Sequence, residues 1–64
     1  MAETIKLKFK NNIWNINGPG VKETGPNYHR MLDKAMIYTR EKKGTLEIYN
    51  PDGSFKTKYD FFMK

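Results

Sequence analysis

The chain opens on strict alternation: from Thr4 to Lys10, residues Ile5, Leu7 and Phe9 fall on one side and Lys6, Lys8 and Lys10 on the other. A period of two marks a strand with one face buried and one face in water. Asn11-Asn12 follows, a pair that tolerates positive φ and suits a tight hairpin, and from Ile13 to Asn17 the alternation resumes with Trp14 and Ile16 together on one side. Gly18-Pro19-Gly20 ends this second strand. From Gly18 through Gly25-Pro26 the chain carries three glycines, two prolines and the charges of Lys22 and Glu23, so a mobile surface loop with no regular element is expected there.

The period then changes. Between Tyr28 and Lys43, the residues Tyr28, Met31, Leu32, Ala35, Met36 and Thr39 recur at three- and four-residue spacing, with Arg30, Asp33, Lys34, Arg40 and Glu41 mostly opposite them. This predicts an amphipathic helix. Asn27 stands where its side-chain oxygen can cap the first turn. At the other end Arg40, Lys42 and Lys43 offset the helix dipole, and Gly44 is the residue expected to take the left-handed conformation.

Alternation returns from Thr45 to Tyr49, which turns Leu46 and Ile48 inward and Glu47 and Tyr49 outward. Asn50-Pro51-Asp52-Gly53 is a strong turn, because proline presets φ and glycine accepts the positive-φ place. In the strand beyond it, Phe55, Thr57, Tyr59 and Phe61 share one side, and Lys56, Lys58, Asp60 and Phe62 the other. The element order is therefore ββαββ. It predicts an α+β fold of two layers, an antiparallel sheet with one helix packed on one face, as a single domain over residues 1–64.

At 64 residues folding buries only about 60% of the surface that the unfolded chain exposes, so the core is thin. The chain has no cysteine and one histidine, His29, which excludes a disulfide framework and a thiolate metal site; no metal and no cofactor are expected. The amino-terminal Met1-Ala2-Glu3-Thr4 leads into the first strand without an apolar stretch, and no run approaches bilayer-spanning length. A cytoplasmic protein without membrane attachment is expected.

Catalysis requires convergent polar groups, and here the acids are scattered over turns and strand faces. No catalytic residue is assigned. His29 reads as a solvated side chain in the first helical turn, and Asp33 and Glu41 as partners for neighbouring bases. Gly18-Pro19-Gly20 is a poor phosphate cradle, since its proline removes a backbone donor and no helix begins directly after it.

The net charge of +5 directs attention to the sheet face opposite the helix. On the period-two reading, Lys6, Lys8 and Lys10 of the first strand and Lys56 and Lys58 of the last point to that side, with Asn15, Asn17 and Tyr49 between them. Five lysines can neutralise phosphates, and Tyr49 can stack on a base; such contacts are salt-sensitive and weak in sequence preference. Two other readings stay open. Lysines on the solvent face and edge strands of an open sheet also deter aggregation, and the aromatic residues, including the Phe61-Phe62-Met63 end, suit a protein partner or a homodimer.

Ile13-Trp14-Asn15-Ile16 in an early strand, a single helix with Ala35 in its middle, and Leu46-Glu47-Ile48-Tyr49-Asn50-Pro51-Asp52-Gly53 before a polar last strand together resemble the small bacterial domains grouped as DUF2188. The similarity runs over roughly residues 5 to 60. It implies the ββαββ layout and carries over no catalytic or binding residue, since that family has no established activity. The function expected from the residues is a small non-enzymatic module, bacterial or phage in setting, that binds nucleic acid through Lys6, Lys8, Lys10, Lys56 and Lys58 with Tyr49; the alternative is a protein-interaction or homodimeric module.

Overall fold

Every stretch of alternating residues forms a strand in the computed structural model, which describes residues 3–61. The elements are β1 (Thr4–Lys10), β2 (Ile13–Gly18), β3 (Val21–Gly25), α1 (Tyr28–Lys42), β4 (Thr45–Tyr49) and β5 (Phe55–Asp60). They build one sheet in the order β3-β2-β1-β4-β5, with α1 lying across β1 to β4 on one face. The α+β class with two layers and one helix on one face is the observed one. Phe62 and Met63, placed above on the last strand and at the carboxyl end, lie outside the described residues.

In two respects the sheet departs from the expected four antiparallel strands. The segment read as a loop is β3, which pairs antiparallel with β2 from Gly18↔Val21 to Trp14↔Gly25. Pro19 and Gly20 make the corner between them, with Gly20 at φ 72° where a side chain would be strained. The strand lacks a hydrophobic alternation because two of its helix-facing positions are Glu23 and Gly25. The Glu23 carboxylate accepts from the Tyr38 hydroxyl at 3.1 Å and from Lys34 Nζ at 3.5 Å, both on α1.

The second departure is a parallel pair. β1 and β4 run parallel from Thr4↔Thr45 to Leu7↔Ile48, while β1–β2, β2–β3 and β4–β5 are antiparallel, so the sheet is mixed. Tight hairpins join only antiparallel neighbours; the long connection through α1 is what lets β4 lie parallel to β1.

α1 starts as its sequence dictates: Asn27 Oδ1 accepts from the Arg30 N–H at 3.1 Å. It ends one residue earlier than expected. Lys43, not Gly44, adopts the left-handed conformation, at φ 54°, and its N–H donates to Arg40 O at 3.1 Å while that of Gly44 donates to Thr39 O at 3.1 Å. Gly44 has a different purpose. A Cβ there would overlap the carbonyl oxygen of Glu3, the same oxygen that accepts the Thr45 N–H at 2.8 Å as β4 begins beside β1.

Between the layers, Ile5, Leu7, Ile16, Leu46 and Ile48 are almost wholly buried beneath Met31, Ala35 and Thr39 of α1. Each large aliphatic of this set contributes about 1.5–3 kcal/mol by leaving water. Thr39, the polar member, is satisfied because its hydroxyl donates to Ala35 O at 2.7 Å. Trp14 extends the core toward the start of α1, packed between Phe9 and Tyr28 with ring centroids 5.0 and 4.7 Å away.

Gly44→Ala is expected to cost about 2 kcal/mol or more, because its methyl meets backbone rather than a movable side chain, and to lower Tm by on the order of 10 °C in a thermal melt. A Tm within about 2 °C of the parent would show that the β1–β4 junction is looser than described.

Candidate nucleic-acid interface

Residues paired across neighbouring strands point to the same face of a sheet. On the face away from α1 this places Lys22, Asn17, Lys6, Glu47 and Lys58 in one row across all five strands. A second row runs Thr24, Asn15 and Lys8, then reaches Tyr49, whose ring lies under Lys8 Nζ at 4.9 Å from its centroid, and Phe55. Lys10 projects beyond it, opposite Ile13.

The expected basic residues divide on this geometry. Lys6, Lys8, Lys10 and Lys58 share the outer face as expected, and Lys56 does not. Between Ile48 and Tyr49 the β4–β5 register shifts: Thr57 pairs with Ile48, but Phe55 pairs with Tyr49, so Lys56 is the extra residue of a bulge. Its Nζ lies on the helix side, 5.4 Å from the ring centroid of Tyr28. Phe55, expected inward with Thr57 and Tyr59, takes the outer position instead, with its ring 5.8 Å from that of Tyr49 and nearly perpendicular to it.

The same rows bring in a lysine from the segment expected to be a loop. Lys22 stands opposite Asn17 on β3. The available signal was Pro19-Gly20 itself, a two-residue corner flanked by Gly18 and Val21 that can close a hairpin. No comparable signal announces the bulge at Lys56.

Charge is distributed unevenly over this face. Glu47 sits between Lys6 and Lys58 in its row, and Asp60, which accepts from the Thr45 hydroxyl at 2.8 Å, lies farther along β5. On the β1–β3 side there is a shallow depression of about 450 Å³, lined by Lys8, Lys10, Asn15, Asn17 and Lys22 and closed by Asn50 and Gly53 of the β4–β5 turn. Among the described residues no carboxylate borders it. The ion pairs among the described residues are Lys34–Glu23 and Lys42–Glu3, at 3.5 and 3.7 Å, both away from it.

Tyr49 is more constrained than a free stacking residue. Its hydroxyl donates to Glu47 Oε1 at 2.8 Å, Lys8 covers its ring, and Phe55 stands against it. The hydrogen bond to Glu47, followed by partial burial and the carboxylate's charge, raises its phenol pKa above the ordinary value. Tyr38, bonded to Glu23, is raised for the same leading reason.

His29, Asp33 and Glu41 are exposed along α1, and among the described residues no group of three or more His, Cys, Asp or Glu is placed to hold a metal ion. No described helix is long and apolar enough to cross a membrane. No protein-family model, curated protein or solved structure matches the chain.

A phenol with a raised native pKa adds stability that is fully present below its unfolded value, about 10, and that is lost as pH rises through the native value. Glu47→Ala should therefore bring Tyr49 ionisation down toward that value in an ultraviolet absorbance titration, read as the difference from the same titration of Tyr49→Phe. An unchanged midpoint would mean that the Tyr49–Glu47 bond is not populated in solution.

Proposed function

We propose that this domain is a non-enzymatic module that binds nucleic acid through its phosphates, on the sheet face opposite the helix. The observation that carries the reading is the position of β1. Lys6, Lys8 and Lys10 lie on the central strand, whose two edges are hydrogen-bonded to β2 and β4. Lysines deter aggregation by guarding unpaired strand edges, and a central strand has none to guard. Edge protection accounts for Lys22 on β3 and for Lys56 and Lys58 on β5; the three lysines of β1 serve the open face itself, as solubilising charge or as a binding surface, and their concentration on one strand favours the second.

The surroundings favour phosphate as the counterpart. Lys8, Lys10 and Lys22 frame a depression that no carboxylate of the described residues lines, and Asn15, Asn17 and Asn50 line it with amides. Lysine contributes charge without the bidentate geometry that reads a base, so binding depends on backbone charge more than on sequence. Each phosphate neutralised steepens the dependence of log K on log salt by about 0.7 to 0.9. The revised contact set is Lys6, Lys8, Lys10 and Lys22, with Lys58 partly offset by its neighbour Glu47 and Lys56 outside it.

The test is fluorescence anisotropy with labelled single-stranded DNA, RNA and duplex across a salt series. Lys8→Glu, Lys10→Glu and Lys22→Glu combined should abolish binding in a protein whose circular dichroism and melt match the parent, whereas Lys56→Glu should change affinity by less than about threefold. Equal losses from both variants would indicate attraction by net charge with no defined face. No binding by the parent at low salt would remove the reading altogether.

A further inference from the structure

The bulge in β5 does more than displace Lys56. An undisturbed strand would turn Phe55 toward the helix side with Thr57 and Tyr59; the register shift turns it out onto the lysine face, where it remains 53% exposed. Bulges re-aim side chains, and this one exchanges a lysine for a phenylalanine on the polar side of the sheet. The apolar ring therefore lies beside charge rather than over core.

Its support is built from the same face. Tyr49 backs Phe55 in an edge arrangement at 85°, and Tyr49 is itself held by the Glu47 carboxylate and capped by Lys8. Phe55 thus sits two strands from Lys8, roughly 10 Å across the sheet, on the same outer face, on a braced neighbour and about half exposed. Tyr49 is half-buried and hydrogen-bonded, and Phe55 is the more exposed aromatic of this face among the described residues.

We infer that the preferred ligand of this face is a single strand, with an unpaired base stacked on Phe55 while the adjoining phosphates lie against Lys8, Lys10 and Lys22. The inference rests on the phosphate-binding reading above and adds the class of nucleic acid to it. A duplex hides its base faces and can use only the lysines, while a single strand can use both parts of the surface. Because an aromatic face accepts any base, the preference is for strandedness, not sequence.

The decisive experiment compares Phe55→Ala, Phe55→Trp and the parent for binding to a labelled single strand, to its duplex, and to inorganic polyphosphate as a probe with charge but no bases. Phe55 lies outside the buried core, and thermal melts of the variants establish that they fold. The expected result is a single-strand preference in the parent, a roughly tenfold loss for single strand in Phe55→Ala, and retention of that affinity in Phe55→Trp with quenching of the new indole. Polyphosphate affinity and the salt slope should be unchanged in both variants.

Phe55→Ala binding the single strand as tightly as the parent, or losing polyphosphate in equal measure, would overturn the stacking inference while leaving phosphate binding by the lysines in place. Failure of the parent to bind any of the three probes at low salt would overturn both.

Discussion

The position of β1 at the centre of the sheet constrains everything else in the molecule. Its residues alternate between Ile5 and Leu7, fully buried, and Lys6, Lys8 and Lys10, fully on the other side. A register slip of one residue would carry the lysines under α1, where an unpaired charge costs several kcal/mol. Because β1 pairs with β2 on one edge and β4 on the other, its choice of face is imposed on both, and through them on β3 and β5. The aliphatic core and the basic surface are two consequences of that one alternation.

Elements whose information is local were legible in the sequence. β1, β2 and β4 follow from period-two spacing, α1 from its stripe and the Asn27 cap, and the Asn50–Gly53 turn from its residue types, with the Gly53 N–H donating to Asn50 O at 2.9 Å. β3 was not, because its inward positions are completed from elsewhere: Glu23 is bonded by Tyr38, fifteen residues away, and Gly25 leaves room for Met31. Nothing in the order ββαββ distinguishes a parallel from an antiparallel β1–β4 neighbour. Gly44 was recognised as a necessary glycine for the wrong reason, since the close approach of Glu3 and not the helix end excludes a side chain there.

The basic face divides the same way. Lys6, Lys8 and Lys10 were legible because β1 is regular, and Lys58 because it lies beyond the bulge, whereas Lys22 was hidden with β3. Lys56 and Phe55 were misplaced together, since a bulge reverses every side chain on one side of it. The turn before it is held by its own bonds: the Asn50 N–H donates to Ser54 O, and the Ser54 hydroxyl and N–H both donate to the Asp52 carboxylate, which lowers the Asp52 pKa. A closed turn of that length meets β4 one residue out of step, and the mismatch is absorbed at Lys56.

The two halves of the outer face then have different electrostatic status. Toward β4 and β5, Glu47 stands between Lys6 and Lys58 and relieves their repulsion; toward β2 and β3, the neighbours of Lys8 and Lys10 are asparagines and another lysine. Lys8 and Lys10, alternate residues of one strand, are spaced roughly 7 Å apart along it, where like charges in water cost about 0.6 kcal/mol before salt screens part of that. Among the described residues, no carboxylate stands beside Lys8, Lys10 and Lys22 where they line the depression. On the proposed reading, a phosphate chain laid along this half would offset that repulsion, and its binding would then stabilise the fold through the same lysines.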